Sequence, residues 1–172
     1  MSDPRYPIGK FHAPESISAG DRARYIETIA SAPDRLRDAV NGISAVQLDT
    51  PYRDGGWTVR QVIHHVPDSH MNAYIRFKLA LTETDPVVKP YDEAAWARLN
   101  DIDVTPVEMS LCLLDNLHQR WVILMRGMSE EDWKKRYLHP EANRGAMSLD
   151  VVLAMYAWHC EHHAAHVKSV TG

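Results

Sequence analysis

Apolar residues recur at helical spacing in four long stretches of this chain, and this pattern constrains the fold more than any other feature. The stretches cover about residues 18–40, 58–81, 106–126 and 148–170. Long helices that each carry one apolar stripe must bury those stripes against one another. We therefore predict an all-α four-helix bundle with long crossovers and short accessory helices. It would form one domain over residues 1–172, with residues 1–17 as an extended N-terminal arm.

The ends of three of these helices carry recognisable signals. Thr58 and Gln61 have the spacing of a capping box, and Ser148 is a good N-cap. Pro106 suits the first turn of the third helix, and Gly127 follows its last turn. These residues set the expected helix boundaries more sharply than periodicity alone.

Proline and turn residues predict where the pattern is interrupted. Pro33 should kink or break the first helix, and Pro67 should bend the second helix near His65. The connections should hold short helices at 93–100 and 129–134. Residues 137–147 fit a small hairpin or a plain loop.

Composition excludes several classes of function. The net charge is −4 without a basic run, which argues against nucleic-acid binding. No apolar run is long enough to span a membrane and the N-terminus lacks a secretory pattern, so we expect a cytoplasmic protein. Cys112 and Cys160 form no spacing motif and are expected to be reduced and buried. No nucleotide-binding or serine-hydrolase motif occurs.

The ten histidines are the chemical signal, and four of them lie between residues 159 and 166. Residues four apart share one helix face, so two pairs could chelate a metal: His159 with His163, and His162 with His166. The first pair continues the inward stripe through Tyr156, whereas the second lies further round the helix. Buried imidazoles need partners for their nitrogens, and a metal supplies them. The pattern favours His159 and His163.

A catalytic zinc site generally uses three protein ligands, so one more must come from elsewhere. The second helix offers His64, His65 and His70. His65 follows Val62 by three residues and can therefore face the core. His64 is rotated by about 100° from His65 around the helix axis. His70 lies more than one helical turn further along the chain than His65. Spacing prefers His65 but leaves the other two open.

No general base stands out. Asp68 could orient a histidine, although a solvated carboxylate is the commoner role for such a residue. Asp92, Arg76 and His139 could lie near the mouth of the site, but they also fit a helix N-cap, an ion-pair partner and a turn residue, respectively. The catalytic residues stay unassigned.

The chain resembles the YfiT branch of the DinB/YfiT superfamily over nearly its whole length. The resemblance is carried by Tyr6-Pro7-Ile8-Gly9, by the block from Gln47-Leu48-Asp49-Thr50 through Trp57-Thr58-Val59-Arg60-Gln61-Val62, and by His64-His65, Asp68-Ser69-His70, His139-Pro140 and Trp158-His159. It implies a four-helix bundle, a metal-dependent hydrolase and a homodimer. It also implies one metal ion, zinc or nickel, held by His65, His159 and His163.

The resemblance leaves the reaction open. A three-histidine metal could activate water for hydrolysis of a small-molecule substrate. Other relatives resemble thiol S-transferases, in which the metal holds a low-molecular-weight thiol such as bacillithiol as the nucleophilic thiolate. A metal-binding stress protein without turnover is the third interpretation.

This sequence departs from the family pattern at three places near the expected site. Pro67 lies in the same helical turn as His65, where it could shift the ligand geometry. Glu161 lies beside the ligands on the last helix. Asn143-Arg144-Gly145 could alter substrate choice if that loop covers the metal.

Overall fold

Four long helical segments form the body of the protein, as the periodicity predicts. The computed structural model describes residues 3–141 and 145–172. In chain order the elements are α1 (Ala19–Ala30), α2 (Ala32–Ala39), α3 (Ala45–Leu48), α4 (Val59–Thr82), α5 (Glu93–Trp96), α6 (Asn100–Val104), α7 (Val107–Arg126), α8 (Glu130–Lys134), β1 (Arg136–His139), β2 (Gly145–Ser148) and α9 (Leu149–Thr171). Helix α4 packs on α7 and α9, and α1 packs on the same two helices, which closes a four-helix bundle.

The predicted caps are formed by the expected side chains. Thr58 and Gln61 make a reciprocal capping box at the start of α4, and the hydroxyl of Ser148 accepts from the backbone N–H of Val151 at the start of α9. Pro106 precedes α7 and Gly127 ends it. Because a cap satisfies backbone donors locally, it is readable from sequence without knowledge of the tertiary packing.

The first predicted helix is broken in two, but at Ser31 rather than at Pro33. Pro33 occupies the first turn of α2, where its missing N–H has no helical partner to lose. Helix α4, by contrast, runs through Pro67 without interruption. The N–H that proline lacks would have bonded to the carbonyl of Ile63, so only that one helical bond is missing.

The connections contain more structure than the pattern predicts. Two short helices, α3 and α6, lie in segments expected to be irregular. In the described part of 137–147 the hairpin alternative is the one observed: β1 and β2 pair antiparallel, with Tyr137 opposite Met147. The loop residues Asn143 and Arg144, expected to influence substrate choice, lie outside the described residues.

The core divides along the bundle into two apolar clusters with a polar layer between them. One cluster surrounds Trp121 and Phe77, and the other surrounds Ile63 and Leu114. Buried histidines from α4, α7 and α9 occupy the zone between. Among the described residues, no helix combines the length and apolar composition needed to cross a bilayer.

The expectation for the cysteines is half wrong. Cys160 is buried, but Cys112 is exposed on α7. Periodicity places Cys112 one position after the buried Leu111, on the outer face of the helix.

Candidate metal centre

Helices α4 and α9 bring His65, His159 and His163 together. Each residue offers one ring nitrogen, and the three nitrogens lie within 4.8 Å of one another. The ring centroids of His159 and His163 are 4.4 Å apart, and the ring of His65 lies 5.0 Å from His163 and 5.5 Å from His159. In a tetrahedral site with bonds of about 2.0–2.1 Å, ligand nitrogens stand roughly 3.3 Å apart, so a small inward movement would complete the coordination.

These three side chains line a cavity of about 390 Å³. Its wall also contains four large aromatic side chains, one further histidine, one methionine and two other polar groups, namely Tyr6, Trp57, Tyr156, Trp158, His162, Met155, Ser69 and Glu93. The ring of Trp57 packs against His65 with a centroid distance of 4.7 Å. A volume of this size suits a small organic molecule, whose pockets measure about 300–1,000 Å³.

Burial keeps the three imidazoles neutral. Burial, followed by the nearby His162, lowers the pKa of His65 to about 4. The pKa values of His159 and His163 are held well below the ordinary value, first by burial and then by neighbouring histidines. A neutral imidazole presents a lone pair, which is the form a metal requires.

A second group of histidines, which includes the less favoured pair His162 and His166, is also buried. These two residues and His163 again place ring nitrogens within 4.8 Å of one another. The ring of Tyr52 stacks on His166 at 3.9 Å, and that of Trp158 stacks on His162 at 4.3 Å. The cover on this side of α9 thus comes from Tyr52, in the segment before α4, and from Trp158 of α9 itself.

The other candidates on α4 have different roles. Nδ1 of His64 lies 2.7 Å from the hydroxyl of Ser110, so the ring points to α7 and not to the cavity. His70 is fully buried, and its Nε2 lies 3.0 Å from Nδ1 of His159. His70 is therefore a partner of a candidate ligand, a role that spacing along one helix did not suggest.

Asp68 shows none of the hydrogen bonds that would make it the partner of a candidate ligand. Burial, and then the charge of Asp101, raises the pKa of its carboxyl to about 6. Among the residues considered for the mouth of the site, Asp92 caps α5 by accepting from the N–H of Ala95, and the buried Arg76 donates to the carbonyl of Lys89. His139 lies buried in β1, away from the cavity wall as far as the described residues define it.

The residues next to His159 and His163 do not compete for a metal. Glu161 is exposed and pairs with Arg35 of α2 at 3.0 Å. Burial raises the pKa of the Cys160 thiol to about 12, so it stays protonated and is a poor ligand.

Comparison with known proteins places the chain in a family. The model of the DinB superfamily matches residues 28–167. The chain belongs to the DinB superfamily. This agrees with the resemblance of the sequence motifs and with the bundle fold.

Two DinB relatives, one of them also known as a solved structure, illustrate the similarity. A protein of Bacillus cereus strain B4264, named "Putative metal-dependent hydrolase", is 51% identical over 170 residues, which cover 99% of this chain and 96% of the relative. YfiT of Bacillus subtilis strain 168, with the same designation, is 46% identical over 96% of this chain and 93% of its own. A solved structure of YfiT, described as having an unusual four-helix bundle topology, matches with a TM-score of 0.94 over 97% of this chain and 95% of its own.

The buried histidines of this DinB protein predict that the metal-free form is destabilised by acid. Burial lowers the pKa of His118 to about 4, as it does for His65. An unfolded histidine titrates near 6.5, so between pH 6.5 and 4 the unfolded chain binds protons that the folded chain does not. Stability should therefore fall as the pH is lowered through this window, by up to about 1.4 kcal/mol per pH unit for each such histidine.

Urea unfolding of the metal-free protein at pH 8, 7, 6 and 5 measures this slope. Asp68 acts in the opposite direction, because its raised pKa favours the folded state in acid. It is a single carboxyl group, whereas several buried histidines destabilise the folded state in acid, so the histidines should determine the sign of the slope. A His118→Gln variant removes one titrating ring and should have a shallower slope. Equal free energies of unfolding at pH 7 and pH 5 would contradict the prediction.

Proposed function

We propose that this protein is a metal-dependent hydrolase that holds one zinc or nickel ion through His65, His159 and His163. The observation that carries the proposal is the convergence of these three neutral imidazoles on the wall of one cavity. The designation of the relatives as metal-dependent hydrolases supports the same function.

Access to the cavity favours this histidine group over the second one. All three of its members line the cavity, whereas His166 is covered by Tyr52 and lies outside the lining as described. A catalytic metal needs an open position for water or substrate. In the second group His162 and His163 also line the cavity but His166 does not, so fewer of its nitrogens face the open space.

The three histidine nitrogens suit a divalent metal ion that activates water. Three imidazoles fit zinc or nickel, and the softness of the ligands does not discriminate between the two. An ion bound there would lower the pKa of a coordinated water and polarise a substrate carbonyl.

The protein's own side chains would bind and orient the substrate. Trp57, Trp158 and Tyr6 offer apolar faces for an organic group and limit the entry of bulk water. The hydroxyl of Ser69 lies at the same wall, 3.5 Å from the hydroxyl of Tyr156, and Glu93 contributes a carboxylate. These groups suit a small substrate with an apolar part and a polar reacting group.

Hydrolysis of a panel of esters and amides tests the function. The zinc- or nickel-loaded protein should hydrolyse at least one substrate class, lose the activity when a chelator removes the metal, and regain it on reloading. The same protein is then incubated with low-molecular-weight thiols and a chlorinated aromatic electrophile. Conjugation without hydrolysis would replace the proposal with thiol transfer, and silence in both assays would leave a metal-binding protein without turnover.

A further inference from the structure

Two buried histidines that are not metal-ligand candidates connect His159 to the opposite side of the bundle. Nδ1 of His159 lies 3.0 Å from Nε2 of His70, and Nδ1 of His70 lies 2.8 Å from Nε2 of His118. Nδ1 of His118 lies 2.7 Å from the backbone carbonyl of Ile29 in α1. His70 and His118 are 0% and 1% exposed, so water does not compete for these contacts.

Pro33 explains why the carbonyl of Ile29 is available. In a continuous helix this carbonyl would accept from the backbone N–H four residues later. That residue is Pro33, which has no N–H. The break between α1 and α2 thus leaves an acceptor that points into the bundle, and His118 uses it.

The carbonyl sets the direction of every hydrogen bond in the chain of rings. A carbonyl only accepts, so Nδ1 of His118 must carry a proton. A neutral imidazole has one donor and one acceptor nitrogen, so Nε2 of His118 accepts from Nδ1 of His70. By the same rule, Nε2 of His70 accepts from Nδ1 of His159. Nε2 of His159 is then left with its lone pair.

Neutral rings are required for this direction, and the surroundings favour them. The rings of His70 and His118 are shielded from water, and they bond to neighbouring imidazoles and to a backbone carbonyl. A charged ring in this layer would be desolvated without a carboxylate partner among its described contacts.

We propose that the Ile29 carbonyl, His118 and His70 form a positioning relay that fixes the proton of His159 on Nδ1 and presents Nε2 as the ligand atom. This inference rests on the proposed function, because it takes His159 as a metal ligand. His70 and His118 are positioning residues that touch neither metal nor substrate. Partners of this kind typically change metal affinity by about 10–100-fold.

Nuclear magnetic resonance of the ring nitrogens tests the relay without any metal. In ¹⁵N-labelled metal-free protein, long-range proton–nitrogen spectra should show His118, His70 and His159 each protonated at Nδ1 and bare at Nε2. Protonation of His159 at Nε2, or a mixture of both forms, would overturn the relay. The wild-type protein suffices, so the test does not depend on whether a variant folds.

Variants then test the link to metal binding. His118→Leu should lower zinc affinity, measured by competition with a chromogenic chelator, by about 10–100-fold. His118→Gln should restore most of it, because an amide can both donate to Ile29 and accept from His70. His64→Leu is the matched control: it also removes a buried histidine from the bundle, but one that bonds to Ser110 rather than to a ligand.

The outcomes separate the relay from the proposed function. Unchanged zinc affinity in His118→Leu, or an equal loss in His64→Leu, would overturn the role of the relay. Full zinc binding by a His159→Ala variant would instead remove His159 from the ligand set, whatever the spectra of the metal-free protein show.

Discussion

His65→Ala and His159→Ala variants should each lose the metal that the wild-type chain retains at about one ion per chain. Each substitution removes one of the three proposed ligands, and two imidazoles hold a divalent ion weakly. We expect the dissociation constant to rise by roughly 100-fold or more. Elemental analysis after gel filtration, followed by chelator competition, measures both quantities.

The matched controls for this prediction are His162→Ala and His166→Ala. Both residues are buried histidines on the same helix, and both belong to the second histidine group. They should retain the metal, with only the loss of stability that follows from an emptied buried site. His163→Ala is uninformative because His163 belongs to both groups. Metal loss in the controls and retention in His65→Ala would place the ion in the second group.

Trp121→Ala should cost the most stability of any single core substitution that we predict. Trp121 is fully buried, and its ring packs edge-on against Phe77 at 5.2 Å and against Tyr156 at 5.6 Å. Removing such a side chain leaves a cavity and typically costs about 3–5 kcal/mol. Since a domain has about 5–15 kcal/mol in total, the variant should lose a large share of its free energy of unfolding.

Trp121→Phe separates the effect of volume from that of the indole N–H. Within the described residues, Nε1 of Trp121 has no hydrogen-bond partner, so its loss breaks no bond. We expect Trp121→Phe to cost about 1–2 kcal/mol, less than half of the alanine value. Urea unfolding of both variants measures the difference, and equal losses would show that the indole group matters more than the packed volume.

The long helices were predictable because their signals are local. Thr58, Ser148 and Gly127 act on backbone groups within one turn, so their effect does not depend on the rest of the fold. The short helices α3 and α6 were missed because four or five residues are too few for a periodic pattern. Helix α3 does carry a local signal, the capping box of Ser44 and Gln47 at its start. The turn before α6 is instead tied to α4, because Gln61 donates to the carbonyl of Ala97.

The candidate site was predictable only in part. Periodicity selected His159 and His163, and the family resemblance selected His65; that these residues hold a metal stays a prediction. The relay was missed because His70 and His118 were considered one helix at a time. The sequence did contain a signal for both residues. On the third long helix, His118 stands in the apolar stripe between the buried Leu114 and Trp121. On the second, His70 stands in the same way between Val66 and Ala73, so both histidines occupy core positions. A histidine in a core stripe needs a partner from another helix, and that partner cannot be read from one helix alone.

The cover over His162 and His166 could not be predicted for a different reason. Helical spacing gives the direction of a side chain relative to the bundle axis, but not what covers the opposite side. The stacked rings of Tyr52 and Trp158 provide that cover. One of them comes from the irregular segment before α4, whose path no periodic pattern describes.

The distribution of these histidines over the helices also sets an order of events during synthesis. The relay and the proposed ligands draw on α1, α4, α7 and α9, and His163 is the last of them to leave the ribosome. A nascent chain that ends before α9 has only one of the three imidazoles, so it cannot capture the ion. The proposed site therefore cannot form before α9 has been made, so an ion bound there would not assist the packing of the earlier helices while the chain is synthesised.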